Sequence, residues 1–245
     1  MLVKSKIKYI QSLGQKKFRD SEKMYIAEGP KIVGELLLEI PDQITAIYAL
    51  KDWIEQYESW KDKIEIIEIT ESELLRISHL QTPNTVLAQI KQHEQVHLER
   101  VPDNVVTLML DNIQDPGNLG TIIRTADWFG ISNIICSKST ADLYNPKVVQ
   151  SAMGSIARVK VQYEELLPVL ENSPGIPVFA AVLEGADVRT LQKISKAIII
   201  IGNESKGINT NILSYVTNRI TIPGKGGAES LNAAVAAGII LSHLT

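Results

Sequence analysis

The sequence predicts an α/β protein in which a parallel-sheet domain follows a smaller α/β unit. From Val105 onward, short apolar runs alternate with amphipathic stretches at the spacing of parallel βα units. One run, Ala197-Ile198-Ile199-Ile200-Ile201, is apolar throughout, as a central strand covered on both faces must be. Ahead of the first run, the stretch from Lys91 to Asn104 is polar and charged and contains Pro102, the composition of a domain boundary. The expected division is therefore residues 1–95 and residues 96–245.

In the front part, Lys31 to Leu38 reads as a helix. Ile44 to Leu50 reads as a strand, Trp53 to Trp60 as a helix, and Ile64 to Ile69 as a strand. A helix from Glu71 to Ser78 and a strand from Thr85 to Ile90 complete this unit. In the second part the expected strands are Val105 to Leu110, Asn133 to Cys136, Val159 to Gln162, Val178 to Val182, Ala197 to Ile201 and Arg219 to Ile222. An alanine-rich helix from Leu231 to His243 follows, its small residues suited to close packing on its own domain or on a second copy.

A chain of 245 residues, 44% hydrophobic and 22% charged, can bury a core in each part. No apolar run approaches the roughly 18 residues of a membrane span, and no signal-type apolar stretch follows Met1-Leu2-Val3-Lys4, so a cytosolic protein is expected. The single cysteine, Cys136, excludes an intramolecular disulfide and reads as a buried thiol ending a strand. His93 and His97 stand at i, i+4, but Glu94 and Glu99 around them suit a solvated linker, and no metal is expected. The net charge is -3, yet Lys4, Lys6, Lys8, Lys16, Lys17 and Arg19 all precede the first acidic residue, Asp20. That segment is either a phosphate-facing patch or the solvated face of a helix.

Three strands run into loops rich in glycine and polar side chains. They are Leu108 to Ala126, containing Asp115-Pro116-Gly117-Asn118; Ile198 to Ile208, containing Gly202-Asn203-Glu204; and Ile220 to Ala236, containing Ile222-Pro223-Gly224 and Ser230-Leu231-Asn232. Parallel sheets bind ligands beyond the carboxyl ends of their strands, which is where these loops fall. Neither the dinucleotide G-x-G-x-x-G nor the phosphate-loop G-x-x-x-x-G-K-[ST] is present. On residues alone, this is an α/β enzyme-like domain with a site made from three loops.

In this order the loops resemble the three motifs of the SpoU (TrmH-like) family of RNA ribose 2'-O-methyltransferases, of the SPOUT class. Ile26 to Val33 and Ser78 to Ala88 resemble that family's substrate-binding domain, so the likeness spans nearly the whole chain. It implies a C-terminal trefoil knot, S-adenosylmethionine as cofactor, a homodimer and an RNA substrate. It assigns Gly202, Ile222 and Leu231 to the cofactor, with Asn203 and Leu183 as neighbours. A family methionine after the third motif's Ile-Pro is replaced here by Gly224-Lys225-Gly226-Gly227, which loosens the analogy around Gly224.

The resemblance makes Arg124, Asn118, Glu204, Ser230 and Asn232 the catalytic set. Arginine resists deprotonation, so Arg124 is expected to hold an RNA phosphate and stabilise the developing 2'-oxyanion. The alternative is a surface arginine paired with Asp127. Asn118 is expected to cap its helix and organise the site, and Glu204 to orient Arg124 or Asn232 or else to be an exposed loop carboxylate. Ser230 and Asn232 would hold polar groups of RNA or cofactor, with helix capping the other reading of Ser230. Gly154-Ser155 with Arg158 would add an RNA contact or form an ordinary turn. Ribosomal RNA is the leading substrate. A transfer RNA methyltransferase and a non-catalytic RNA-binding ribosome-assembly factor are the alternatives.

Overall fold

A computed structural model describes residues 2–94 and 96–245. The chain forms two compact units, Met1–Glu94 with Asp142–Ala157, and Gln95–Ala141 with Arg158–Thr245.

The first unit begins with α1 (Lys4–Ser12) and α2 (Lys16–Glu22), followed by β1 (Met24–Glu28), α3 (Pro30–Glu39), β2 (Ile44–Ala49), α4 (Lys51–Gln56), β3 (Ile66–Glu68), α5 (Glu71–Ile77) and β4 (Val86–Lys91). The strands form a mixed sheet in the order β1-β4-β2-β3, in which β4 runs antiparallel to both β1 and β2. β1 has no counterpart among the expected strands. All five of its residues are buried, so it shows no alternation for a sequence reading to detect. α4 ends at Gln56, earlier than expected, and a 3₁₀ turn continues to Trp60. One apolar cluster joins Ile7, Ile10 and Leu13 of the amino-terminal segment to Met24, Ile26, Tyr48, Leu74 and Leu87.

Two of the sequence strings meet in this unit. Glu28, at the end of β1, accepts hydrogen bonds from Ser78 Oγ at 2.5 Å and from the His79 backbone N–H at 2.8 Å. Buried at 5% exposure, its carboxylate ties Ile26 to Val33 to the start of Ser78 to Ala88.

Arg19 is a correction to the basic-patch reading. It is 2% exposed, donates to the carbonyls of Leu13 and Gly14 at 3.0 and 2.8 Å, and pairs with Asp142 at 2.6 Å. Its charge is spent inside the unit. Lys4, Lys8 and Lys17 remain exposed, Lys6 is half-buried, and exposed Lys16 pairs with Asp20 at 2.8 Å.

The second unit carries β5 (Val106–Asp111), α6 (Pro116–Trp128) and β6 (Asn133–Ser137). The chain then forms α7 (Pro146–Ala152) and α8 (Ser155–Arg158), and continues through β7 (Lys160–Glu164), α9 (Leu166–Glu171), β8 (Val178–Asp187) and β9 (Ala197–Gly202). It ends with α10 (Thr210–Leu213), β10 (Asn218–Thr221) and α11 (Ala233–Leu244). All six strands are parallel, ordered β10-β8-β9-β5-β6-β7. As expected, β9 is central and buried, with Ile198, Ile199 and Ile200 fully covered. Each such side chain stabilises the fold by roughly 1.5–3 kcal/mol. Cys136 is also fully buried, which pushes its thiol pKa up.

β8 is longer than expected because its second half pairs irregularly with β10. The register jumps from Arg219 opposite Ala180 to Ile220 opposite Ala186, so residues 181–185 bulge out. Gly185 is required there, since a Cβ would lie 2.7 Å from the Arg219 backbone. Leu183, at the crest of the bulge, is 76% exposed.

Candidate active site

The carboxyl ends of β5 and β9 meet at the point where the strand order reverses, because β6 and β7 continue to one side and β8 and β10 lie on the other. α6 begins there. Its cap is Asp115, whose Oδ1 accepts from the Asn118 backbone N–H at 2.8 Å, and Pro116 occupies the first helical position. The expected cap Asn118 is therefore corrected: it stands one turn in, and its side chain is free for other work.

That side chain bridges the other two motifs. Asn118 Nδ2 donates to Glu204 Oε1 at 2.5 Å, and Asn118 Oδ1 accepts from Asn232 Nδ2 at 2.8 Å. Asn232 in turn caps α11, its Oδ1 accepting from the N–H groups of Ala234 and Val235 at 3.0 and 3.2 Å. The helix cap, the alternative reading of Ser230, is thus Asn232. Glu204 bonds Asn118 rather than Arg124 or Asn232.

The loop bearing Glu204 is closed by Asn203. Its Oδ1 accepts from the N–H groups of Ser205 and Lys206, its Nδ2 donates to the Asn112 carbonyl at 2.9 Å, and its backbone pairs with Gly207. Gly202 must lack a side chain, because a Cβ would fall 2.5 Å from the Gly207 carbonyl carbon. Asn112 and Asp111 escaped the sequence reading. Asn112 adopts φ of +60°, and Asp111 Oδ2 accepts from the Asn209 N–H at 2.8 Å, so both fasten this loop to β5. An Asp-Asn pair ending an apolar strand was the available signal.

Arg124 is exposed on α6, and its guanidinium makes no hydrogen bond or ion pair among the described residues. The partner considered for it, Asp127, is taken by Arg158 at 2.8 Å. Ser155 is 3% exposed, so neither it nor the paired Arg158 offers a free RNA contact.

The residues assigned to the cofactor form the other side of the strand ends. Thr221 Oγ1 donates to the Leu183 carbonyl at 3.0 Å, placing the bulge beside the start of Ile222-Pro223. Leu183 and Leu231 expose 76% and 44% of their surface. Ile222 is half-buried, and Gly224, Gly226 and Gly227 have open space where a Cβ would point. Exposed apolar side chains beside accessible backbone amides fit a ligand gripped by apolar contact and main-chain hydrogen bonds, as S-adenosylmethionine would be. Among the described residues no group of three or more His, Cys, Asp or Glu could hold a metal ion. His97 instead contacts buried Glu164 at 2.9 Å.

Comparison with known proteins settles the family. Residues 105–242 match the SpoU rRNA methylase family model. The chain belongs to that family. Residues 4–88 match the MRM3-like substrate binding domain. Among SpoU relatives, the chain is 31% identical over 242 residues to the 23S rRNA (guanosine(2553)-2'-O)-methyltransferase RlmP of Bacillus subtilis, covering 98% of this chain and 95% of that one. It is 34% identical over 158 residues to a 23S rRNA (uridine(2479)-2'-O)-methyltransferase of Streptomyces viridochromogenes, covering 59% of this chain and 54% of that one. The AdoMet-bound rRNA methyltransferase from Sinorhizobium meliloti superposes with a TM-score of 0.85 at 30% identity, covering 99% and 95% of the two chains.

Proposed function

We propose that this SpoU protein transfers a methyl group from S-adenosylmethionine to a ribose 2'-hydroxyl of ribosomal RNA. The observation that carries the reading is Asn118, which joins all three motifs at one set of strand ends. When bound, S-adenosylmethionine supplies an electrophilic methyl on a sulfonium. Leu183, Ile222 and Leu231 would give it apolar walls, with Gly202 and Asn203 shaping the adjoining loop.

The unpaired guanidinium of Arg124 is suited to hold the phosphate next to the target ribose and to stabilise negative charge as it develops on the 2'-oxygen. The hydroxyl proton leaves to a phosphate oxygen or to water. Glu204 and Asn232 hold their two loops to α6 through Asn118, and Ser230, exposed beside them, is free to bond the RNA. Residues 1–95 act as the RNA-binding part and residues 96–245 as the methyl-transfer part.

The C-terminal trefoil knot is part of the same reading. It is supported by the path of the chain, which leaves β10 at one sheet edge and returns to put α11 against α6, where a Cβ on Gly238 would lie 3.8 Å from Thr125. A homodimer is supported by apolar surface left on those helices, with Trp128 85% and Val235 50% exposed. Among the described residues no helix is long and apolar enough to cross a membrane, which accords with a cytosolic enzyme.

Ribose-methylation mapping of total RNA with and without the gene tests the proposal. One lost 2'-O-methyl in ribosomal RNA is expected. A loss confined to transfer RNA would redirect the substrate, and an unchanged map, together with no S-adenosylmethionine binding by calorimetry, would leave only a non-catalytic RNA binder. Light scattering of the wild type and of Trp128→Glu reports the dimer.

A further inference from the structure

We propose that a cavity beyond the carboxyl ends of β5, β6 and β7 receives an unstacked guanine nucleotide of the RNA. The inference rests on the RNA methyltransferase reading but concerns a place lined by none of the residues assigned to catalysis or to the cofactor. The cavity has a volume of about 400 Å³, and its walls include Asp111, Ser137, Lys138, Ser139, Leu166 and Asn209. That volume lies within the ~300–1,000 Å³ of ordinary small-ligand sites.

Asp111 decides the chemistry. The residue is 8% exposed, and among the described residues its side chain's only hydrogen bond is the one that Oδ2 accepts from the Asn209 N–H at 2.8 Å. Oδ1 has no donor among the described residues, although it belongs to a nearly buried carboxylate at a cavity wall. A carboxylate so placed is stabilised by a ligand that brings N–H groups to it. Unstacked RNA bases are read through such edges. Guanine presents N1–H and N2–H side by side, matching both carboxylate oxygens. Adenine and cytosine offer only their amino group there, and uracil a single imino N–H.

The remaining walls suit the rest of a nucleotide. Buried Leu166 gives an apolar surface for a ring face, and Ser137 and Ser139 supply hydroxyls. The ammonium of Lys138, 63% exposed and 3.4 Å from Glu165, stands at the rim where a phosphate would lie. Ser137 Oγ also accepts from the Asn112 N–H at 2.8 Å. One wall is therefore fixed to the loop that leads from Asp111 into α6 and Asn118.

Calorimetric titration of the whole chain, with the cofactor site saturated by S-adenosylhomocysteine, tests this with 5'-GMP, 5'-IMP and 5'-UMP. GMP should bind at least ~10-fold more tightly than IMP, which lacks the N2 amine, and than UMP, the loss expected when a hydrogen bond to a charged group is removed. Asp111→Asn should abolish that preference. Ser139→Trp, a change at an exposed position that fills the mouth, should abolish GMP binding with an unchanged melting temperature. Substrate RNA should displace GMP.

Equal affinity for GMP and UMP, or GMP binding untouched by Ser139→Trp, would overturn the proposal. So would RNA that is methylated at full rate while GMP stays bound, since the cavity would then serve a free nucleotide. Failure of the methyltransferase reading itself would look different: no methyl transfer by the wild type, whatever the nucleotide titrations show.

Discussion

Asn118 hydrogen-bonds Glu204 across 86 residues of sequence, with Nδ2 and Oε1 2.5 Å apart, while its own carbonyl oxygen accepts from Asn232. One amide thus holds two loops to the start of α6. Asn118→Ala should lower methyl transfer by at least ~10-fold, the scale of losing positioned catalytic geometry, while changing the melting temperature little, because all three side chains lie near the surface. A normal single-turnover rate with saturating RNA would show the bridge to be dispensable.

Asn232→Ala removes both the bridge and the α11 cap. Loss of such a cap costs about 1 kcal/mol, or roughly 2–4 °C of melting temperature for a chain of this size. Differential scanning calorimetry of Asn232→Ala beside Asn118→Ala separates the two roles, since only the first should melt earlier.

Arg124→Ala should slow single-turnover transfer by roughly 10²-fold or more, the usual effect of losing a donor aimed at developing charge. Affinity for S-adenosylmethionine should hardly change. Arg124→Lys should restore little, because an ammonium lacks the planar fork. Equal loss of cofactor binding would recast Arg124 as structural.

Arg19 and the exposed lysines near it should behave in opposite ways. Arg19→Met strands Asp142 beside a buried site and should destabilise the protein by about 3 kcal/mol, read by urea unfolding. Neutralising Lys4, Lys8 and Lys17 should leave stability alone and lower the slope of log affinity against log salt by up to about one per lost phosphate contact. A salt slope unmoved by the lysine changes would make them a solvated face.

Burial holds the His93 imidazole below its ordinary pKa of 6.5, and its Nδ1 lies 3.1 Å from the Gln43 amide nitrogen. The folded state therefore binds this proton less readily than the unfolded state. The stability at stake is complete above pH 6.5 and is lost as pH falls from there through the folded value. His93→Gln should flatten the dependence of melting temperature on pH between about 7 and 5; parallel curves for the two proteins would exclude His93 as its source.

The parallel sheet was legible because its strands are short apolar runs at regular spacing, with Ala197 to Ile201 the plainest. The second half of β8 was not, since Leu183, Glu184 and Gly185 belong to a bulge whose pairing depends on the distant Arg219-Ile220 backbone. The site loops could be found by their glycines and polar side chains, but not who bonds whom. Asp115 could have been recognised as the cap from Pro116 directly after it, leaving Asn118 for the bridge. Arg19 could not have been placed, because charge alone makes it a surface residue and its partner Asp142 stands 123 positions away.

The first compact unit is assembled from two stretches of chain, and this sets an order of events during synthesis. When Glu94 has been made, the unit still lacks Asp142–Ala157, with buried Leu143, Tyr144, Val148, Val149 and Ala152 and the carboxylate that neutralises Arg19. The ribosome must add the 63 residues from Gln95 to Ala157 first, an interval of roughly 3–13 s at ordinary elongation rates. During that time β5, α6 and β6 are themselves being made, while the amino-terminal unit waits, without the carboxylate that neutralises its arginine, for a segment not yet translated.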